Sequence, residues 1–301
     1  MRKLNIPFYY AFYHLNMIKK IASAVVAKKS SNNLSDSELY NIEINKAVPP
    51  PNDNLLDYYR KWSGSDIQQS IPFHLVSLWS FPLVFDLLAK TGLPVVKVVN
   101  QGLSIQINDS LPLTEKFILN AKIKSIENTD TKKKLVVSVS TSTASQKDIV
   151  ILDLEMSFPQ KIINRNPKSD RSPSDVSQLA TSSNSSFSKL SFSKNDGLNY
   201  SLLTGDFNPI HWLLFYAKKS PFKTTIMQGF GSFSKISSIL EKQYNLTTIS
   251  IKFLKPITLP SPELSLIVND LPSDIHKAEY YVTSDADGIS SNHVVGEFTY
   301  T

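Results

Sequence analysis

Cysteine is missing from all 301 residues, which removes disulfide frameworks, thiolate nucleophiles and cysteine-ligated metals from consideration. Histidine is scarce as well. His14, His74, His211, His276 and His293 are all there are, and no two stand at the close spacing of a metal-ligand pair, so no metal is expected. The chain also lacks a strong charge bias. A formal charge of +6 is modest for this length, and the one dense basic run, "TKKKL" at 131–135, has no aromatic or Arg-rich neighbours. It reads as a solvated hairpin loop, and nucleic acid is not expected as a partner. What remains is an ordinary globular composition, 41% hydrophobic, long enough for two domains or one large one.

The N-terminus starts basic and then apolar, the outline of a signal peptide, but His14, Asn16, Lys19 and Lys20 interrupt it. A spanning helix needs roughly 18 uninterrupted apolar residues. Phe8, Phe12, Leu15 and Ile18 recur at helical spacing opposite a basic face, which predicts a helix packed on the protein through that stripe. A helix lying on a membrane surface and a cleaved signal are the alternatives.

A Ser-, Asn- and Pro-rich stretch at 164–192 divides the chain, and the same order of elements stands on each side of it. In the first half an apolar helix, "HLVSLWSFPLVFDLLAKTG", precedes alternating strands; in the second, "GFGSFSKISSILEKQYN" does the same. An antiparallel sheet with one apolar face needs a cover, and a central helix supplies it. The predicted architecture is therefore α+β and pseudo-symmetric, with one helix per sheet. The expected divisions are an N-terminal helical and linker segment at 1–49, units at 50–163 and 193–301, and the Ser-rich linker at 164–192 between them.

Residues 200–211, "YSLLTGDFNPIH", set a carboxylate and an imidazole on either side of Asn-Pro. Asn208 suits a helix N-cap and Pro209 the first helical position, which predicts a helix running through Leu213, Leu214 and Ala217. Gly205 gives the preceding loop its bend. Asp206 in the loop and His211 in the first turn can then converge on one small object such as a water. The alternative is that both merely cap the helix and fill a surface.

The stretch "YSLLTGDFNPIHWLLFYA" resembles the signature of the MaoC-like dehydratases, the R-specific enoyl-CoA hydratase family, whose pattern is Tyr, small and apolar residues, then G-D-x-N-P-x-H. "FKTTIMQGFGSF" resembles the family's second segment, and Tyr58, "WSG" and the apolar stretch from Ile71 resemble the first half of two-unit members. The resemblance covers residues 50–301. It implies two hotdog units in one chain, the first degenerate and the second catalytic. It implies hydration of trans-2-enoyl thioesters to R-3-hydroxyacyl thioesters, or the reverse, in acyl metabolism. Carried over, Asp206 and His211 hold the water, the Gly229 N–H polarises the thioester carbonyl, and Asn208, Gly205, Tyr200 and Gln228 support them. Such chemistry needs a base for water, an acid for the α-carbon and donors at an enolate-like oxygen, which a glycine at a helix start provides.

Gln228 departs from the family's usual His before that Gly; it can hydrogen-bond but not titrate. No separate cofactor is implied, since CoA or an acyl-carrier phosphopantetheine belongs to the substrate. The expected partner is that acyl thioester, with a homodimer and a weak membrane-surface contact through the N-terminal segment also open, in a cytoplasmic protein. A hotdog thioesterase and a catalytically silent acyl-binding protein are the competing readings.

Overall fold

The computed structural model describes residues 4, 6–26, 34–95, 98–159, 185–271, 276–286 and 289–301. Helices α1 (Tyr10–Tyr13), α2 (Leu15–Val26) and α3 (Asp36–Tyr40) lead into β1 (Glu43–Val48), α4 (Asp53–Ser63) and α5 (Ser77–Lys90). Four strands follow, β2 (Val99–Ile107), β3 (Phe117–Asn128), β4 (Lys132–Ser142) and β5 (Val150–Pro159). The second half runs β6 (Ser185–Leu190), α6 (Asp196–Thr204), α7 (Leu214–Ala217) and α8 (Gly229–Leu240). It closes with β7 (Leu246–Phe253), β8 (Leu264–Asp270), β9 (Lys277–Ala286) and β10 (Ile289–Tyr300).

The ten strands form one antiparallel sheet in the order β1-β3-β4-β5-β2-β7-β10-β9-β8-β6. The two ends of this list mirror each other, with β1 to β5 taking the places that β6 to β10 take in reverse. The halves join where β2 lies along β7, Gly102–Gln106 against Thr248–Lys252. Strand formation follows the period-2 pattern: Phe117, Leu119, Ala121 and Ile123 of β3 are buried while alternate residues face out. Under each half lies one central helix. These are α5, which buries Trp79, Leu83 and Leu87, and α8, nine of whose twelve residues are buried. With the turn before it, Phe73–Lys90 is long and apolar enough to cross a membrane, but most of it is buried under the sheet as a core helix. This is the hotdog arrangement, twice in one chain.

Strands β1 and β6 fall inside stretches expected to be linker. Each is an outer strand with a single neighbour, β1 beside β3 and β6 beside β8, and "EINKAV" and "SSFSKL" are too polar to show an apolar alternation. Residues 164–184 of the Ser-rich stretch lie outside the described residues. The N-terminal stripe is also corrected. Phe8, Phe12 and Leu15 are exposed, and Ile6, Tyr10 and His14 are buried instead. Aromatic residues occur all round this segment, so its periodicity alone does not select the packed face; the polar contacts of His14, described below, do.

The central helices are also cross-tied by polar side chains. The Tyr200 hydroxyl of α6 lies 2.8 Å from Ser77 Oγ of α5, while the Tyr59 hydroxyl of α4 donates to Ser234 Oγ of α8 at 2.9 Å. Trp62 Nε1–H donates to Asp196 Oδ1 across the same boundary at 2.9 Å. Burial holds both Tyr59 and Tyr200 well above the usual tyrosine pKa, so these hydroxyls stay protonated.

Candidate active site

Helix α6 ends at Gly205, whose φ of 85° is left-handed and favours glycine. The chain then turns back over the helix. Asn208 Oδ1 accepts the Ile210 N–H at 3.3 Å, and Asp206 Oδ1 lies 3.4 Å from the Asn208 N–H. The expected helix through Ala217 is instead a single 3₁₀ turn, Pro209–His211, followed by the extended Leu213 and the four-residue α7. Residues 212–216 are all exposed, so no buried face sustains a longer helix.

His211 Nδ1 is 2.9 Å from the Ile226 carbonyl, which can only accept, so Nδ1 carries the proton. In the neutral ring Nε2 is then the free basic nitrogen. Gln228 is 1% exposed, and its Nε2 donates to Gly197 O at 2.9 Å and to Ser201 Oγ at 3.0 Å. The Asp206 carbonyl sits between these groups, 2.5 Å from Ser201 Oγ and 3.4 Å from Gln228 Nε2. Gly197 makes this packing feasible, since a Cβ there would stand 2.0 Å from the His211 carbonyl oxygen. The loop 206–211, helix α6 and the segment 226–229 are thus locked together, mostly by side chains bonded to backbone carbonyls. Gln228 Oε1 has no partner among the described residues.

Gly229 is the first residue of α8, so its N–H lies at the positive end of the helix. A Cβ there would come within 2.7 Å of the Phe253 ring, so the backbone is open only because no side chain is present. Asp206, His211 and Gly229 are all partly exposed. Of the other expected residues, Tyr200 is wholly buried beneath the site, Asn208 caps the turn at the surface, and Gly205 makes the bend.

Sequence reasoning missed Ser201, Gly197, Phe253 and His14. The first two stand beside or within one helical turn of Tyr200 but are common residue types with no signal of their own. His14 had none either: its Nε2–H donates to Leu202 O at 3.0 Å from 188 residues away. Its ring packs 6.1 Å from Phe207, and its Nδ1 would be 2.9 Å from a Cβ at Gly205. Burial lowers the His14 pKa below 6.5. The same imidazole also forms a wall of a cavity of about 840 Å³ between α2 and the first half, lined by Tyr13, Met17, Leu55, Leu78 and Trp79. No group of three or more potential metal ligands occurs among the described residues.

Residues 171–268, which contain Asp206, His211, Gln228 and Gly229, match the family described as MaoC like domain. The chain carries a MaoC-like domain. Solved structures share the architecture beyond that domain. HtdX from Mycobacterium tuberculosis superposes with a TM-score of 0.69 at 15% identity, covering 87% of this chain and 100% of its own. A MaoC-like dehydratase from Phytophthora capsici gives 0.68 at 17% identity, covering 89% and 98%. An acyl-ACP thioesterase from Bacteroides thetaiotaomicron gives 0.55 at 11% identity, covering 89% and 100%. Among curated proteins no sequence matches. Identities this low establish the hotdog fold alone, and the MaoC-like domain is the part of the chain that a sequence family also describes.

Proposed function

We propose that the protein adds water to trans-2-enoyl thioesters, giving R-3-hydroxyacyl thioesters, or runs the reverse dehydration. The observation that carries this reading is the fixed tautomer of His211. With Nδ1–H held by Ile226 O, Nε2 can take one proton from a water whose other hydrogen bonds to the Asp206 carboxylate. The hydroxyl then forms a bond to C3 while the π electrons move toward the thioester oxygen, where the Gly229 N–H stabilises the enolate-like charge. The imidazolium returns its proton to C2 on the same face, so the elements of one water are added and the side chains are regenerated. Gln228 positions the loop and transfers no proton. The 840 Å³ cavity behind His14 offers room for an acyl tail. CoA or an acyl-carrier phosphopantetheine would enter as part of the substrate.

Thioesterase action has two structural neighbours named as thioesterases in its favour, but the first carboxylate after the start of α8, Glu241, is tied to the buried His74 rather than facing Gly229. Incubation with a series of trans-2-enoyl-CoA esters tests the proposal. Loss of the conjugated enoyl absorbance with an R-3-hydroxy product is expected. Release of free thiol instead would assign hydrolysis, and saturable binding with neither would assign a silent acyl-binding protein.

A further inference from the structure

Two exposed aromatic runs border the loop that carries Asp206. In the first, at α1, Phe8, Phe12 and Tyr13 are 69%, 67% and 63% exposed; in the second, leading into α7, Trp212, Phe215 and Tyr216 are 38%, 71% and 49% exposed. They approach each other at Phe207. The His14 ring packs against Phe207 from one side, and Trp212 Nε1–H donates to the Phe207 carbonyl at 3.3 Å from the other. Water-soluble chains rarely leave so many large aromatic side chains exposed on two neighbouring segments without a use for them.

The charge carried by these two segments themselves has one sign. No Asp or Glu occurs from residue 1 to 35 or from 207 to 240. Among the described residues Lys19, Lys218, Lys219 and Lys223 are exposed and pair with no carboxylate, whereas Lys20 is matched by Asp86 and Lys235 by Asp196. Lys219 Nζ lies 4.5 Å over the Phe215 ring, so an aromatic face and a cation are paired on this surface. Exposed Trp, Tyr and Phe interleaved with unpaired lysines are the composition of a surface at the water–headgroup boundary of a bilayer. A second copy of this chain fits less well, because a two-fold contact would set the lysines against each other.

We infer that this face docks on an anionic bilayer surface, with α1 and the segment 212–222 placing aromatic side chains among the headgroups and the four lysines meeting lipid phosphates. The two segments, far apart in sequence, act as one platform beside the site. The inference is independent of the reaction proposed above, because lipid binding is read without turnover.

Trp62 and Trp79 are buried, so Trp212 is the surface reporter of the three tryptophans. The full chain is titrated with phosphatidylcholine vesicles with and without phosphatidylglycerol. Co-sedimentation and a blue shift of tryptophan emission are expected only with the anionic vesicles and are expected to weaken with salt. The variants Phe215→Ser and Lys218→Glu/Lys219→Glu should each weaken binding by about tenfold or more while keeping the thermal transition. Absence of binding to anionic vesicles at low salt overturns the inference, as does binding that both variants leave intact. A dimer seen by light scattering that Phe215→Ser dissolves would assign the face to a second copy and overturn it equally.

Discussion

The two hotdog units part company immediately after the same turn. Helix α4 ends at Gly64 with φ 83° and α6 at Gly205 with φ 85°, and each glycine N–H bonds back to the carbonyl four residues earlier, Arg60 and Ser201. This register makes Tyr59 the counterpart of Tyr200. Beyond the glycine stands Asp206 in one unit and Ser65 in the other. The first unit then reaches its next sheet contact, Ile71 with Leu111, in seven residues, whereas the second takes twenty-one to reach Ile226 with Thr258. The missing length is the overhang that holds His211. In its place the Arg60 guanidinium closes the short loop, donating to Gln68 O at 3.1 Å and Ser70 O at 3.0 Å. Three residues past Ile71 stands His74, where Gly229 stands three past Ile226. His74 is buried, bonded to Tyr59, Ser238 and Glu241, and it fills the space that the glycine leaves open. One unit has an open site, and the other has a clasp on the matching ground.

Disabling the open site should have the largest effect. Asp206→Asn and His211→Ala are each expected to lower enoyl hydration by about a thousand-fold or more with unchanged circular dichroism. Ser65→Asp, which restores only the carboxylate in the first unit, is expected to add no activity to either variant. Retention of near-normal turnover by one of the two would remove that residue from the proposed pair.

A smaller contrast lies at the helix starts. Gly229→Ala should cost about a hundred-fold in kcat, because its methyl meets the Phe253 ring and blocks the donor, and Phe253→Leu should restore part of the loss. At the matching place His74→Ala should instead cost about 3 kcal/mol of stability, since it strips Glu241 of its partner in the interior, with kcat nearly kept. Thermal melts and steady-state kinetics on the pair of variants separate these roles.

At Gln228 the expected change is smaller again. Gln228→His should stay within about tenfold in kcat/KM, because an imidazole N–H can replace the amide donor to Gly197 O or Ser201 Oγ. Gln228→Leu removes this donor altogether and should cost more, through the loop rather than through proton transfer, with an unaltered pH profile.

The smallest effect is a pH dependence. The folded pKa of His14 is depressed, so the unfolded chain binds the proton more readily; the stability it contributes is present above pH 6.5 and declines as pH falls below that value. His14→Gln, which preserves a donor toward Leu202 O, should flatten part of that decline in thermal melts. His293 is depressed by burial too and leaves a residual slope of the same sign.

The candidate pair was legible because Asp206 and His211 share one contiguous motif with helix-start residues. The duplicated plan was legible because β2 to β5 and β7 to β10 bury alternate apolar residues. The outer strands were not, since a strand with a single neighbour in a polar stretch such as "SSFSKL" need not alternate. Neither was the path of 212–217, where a proline and a good cap start a turn that no buried face continues. His14 could not be found from sequence: its meaning depends on a contact with Leu202 that only the folded chain creates.

The seam between β2 and β7 bears on how this sequence can change over time. Without the first unit, β7 would be a bare edge, the N–H and C=O groups that it turns toward β2 between Thr248 and Lys252 left free to template aggregation, and Tyr200 would lose the hydroxyl of Ser77. The first unit can therefore do without the long loop and the helix-start glycine of the second, yet the chain cannot discard it. The first unit stands as a permanent cover for the edge of the second.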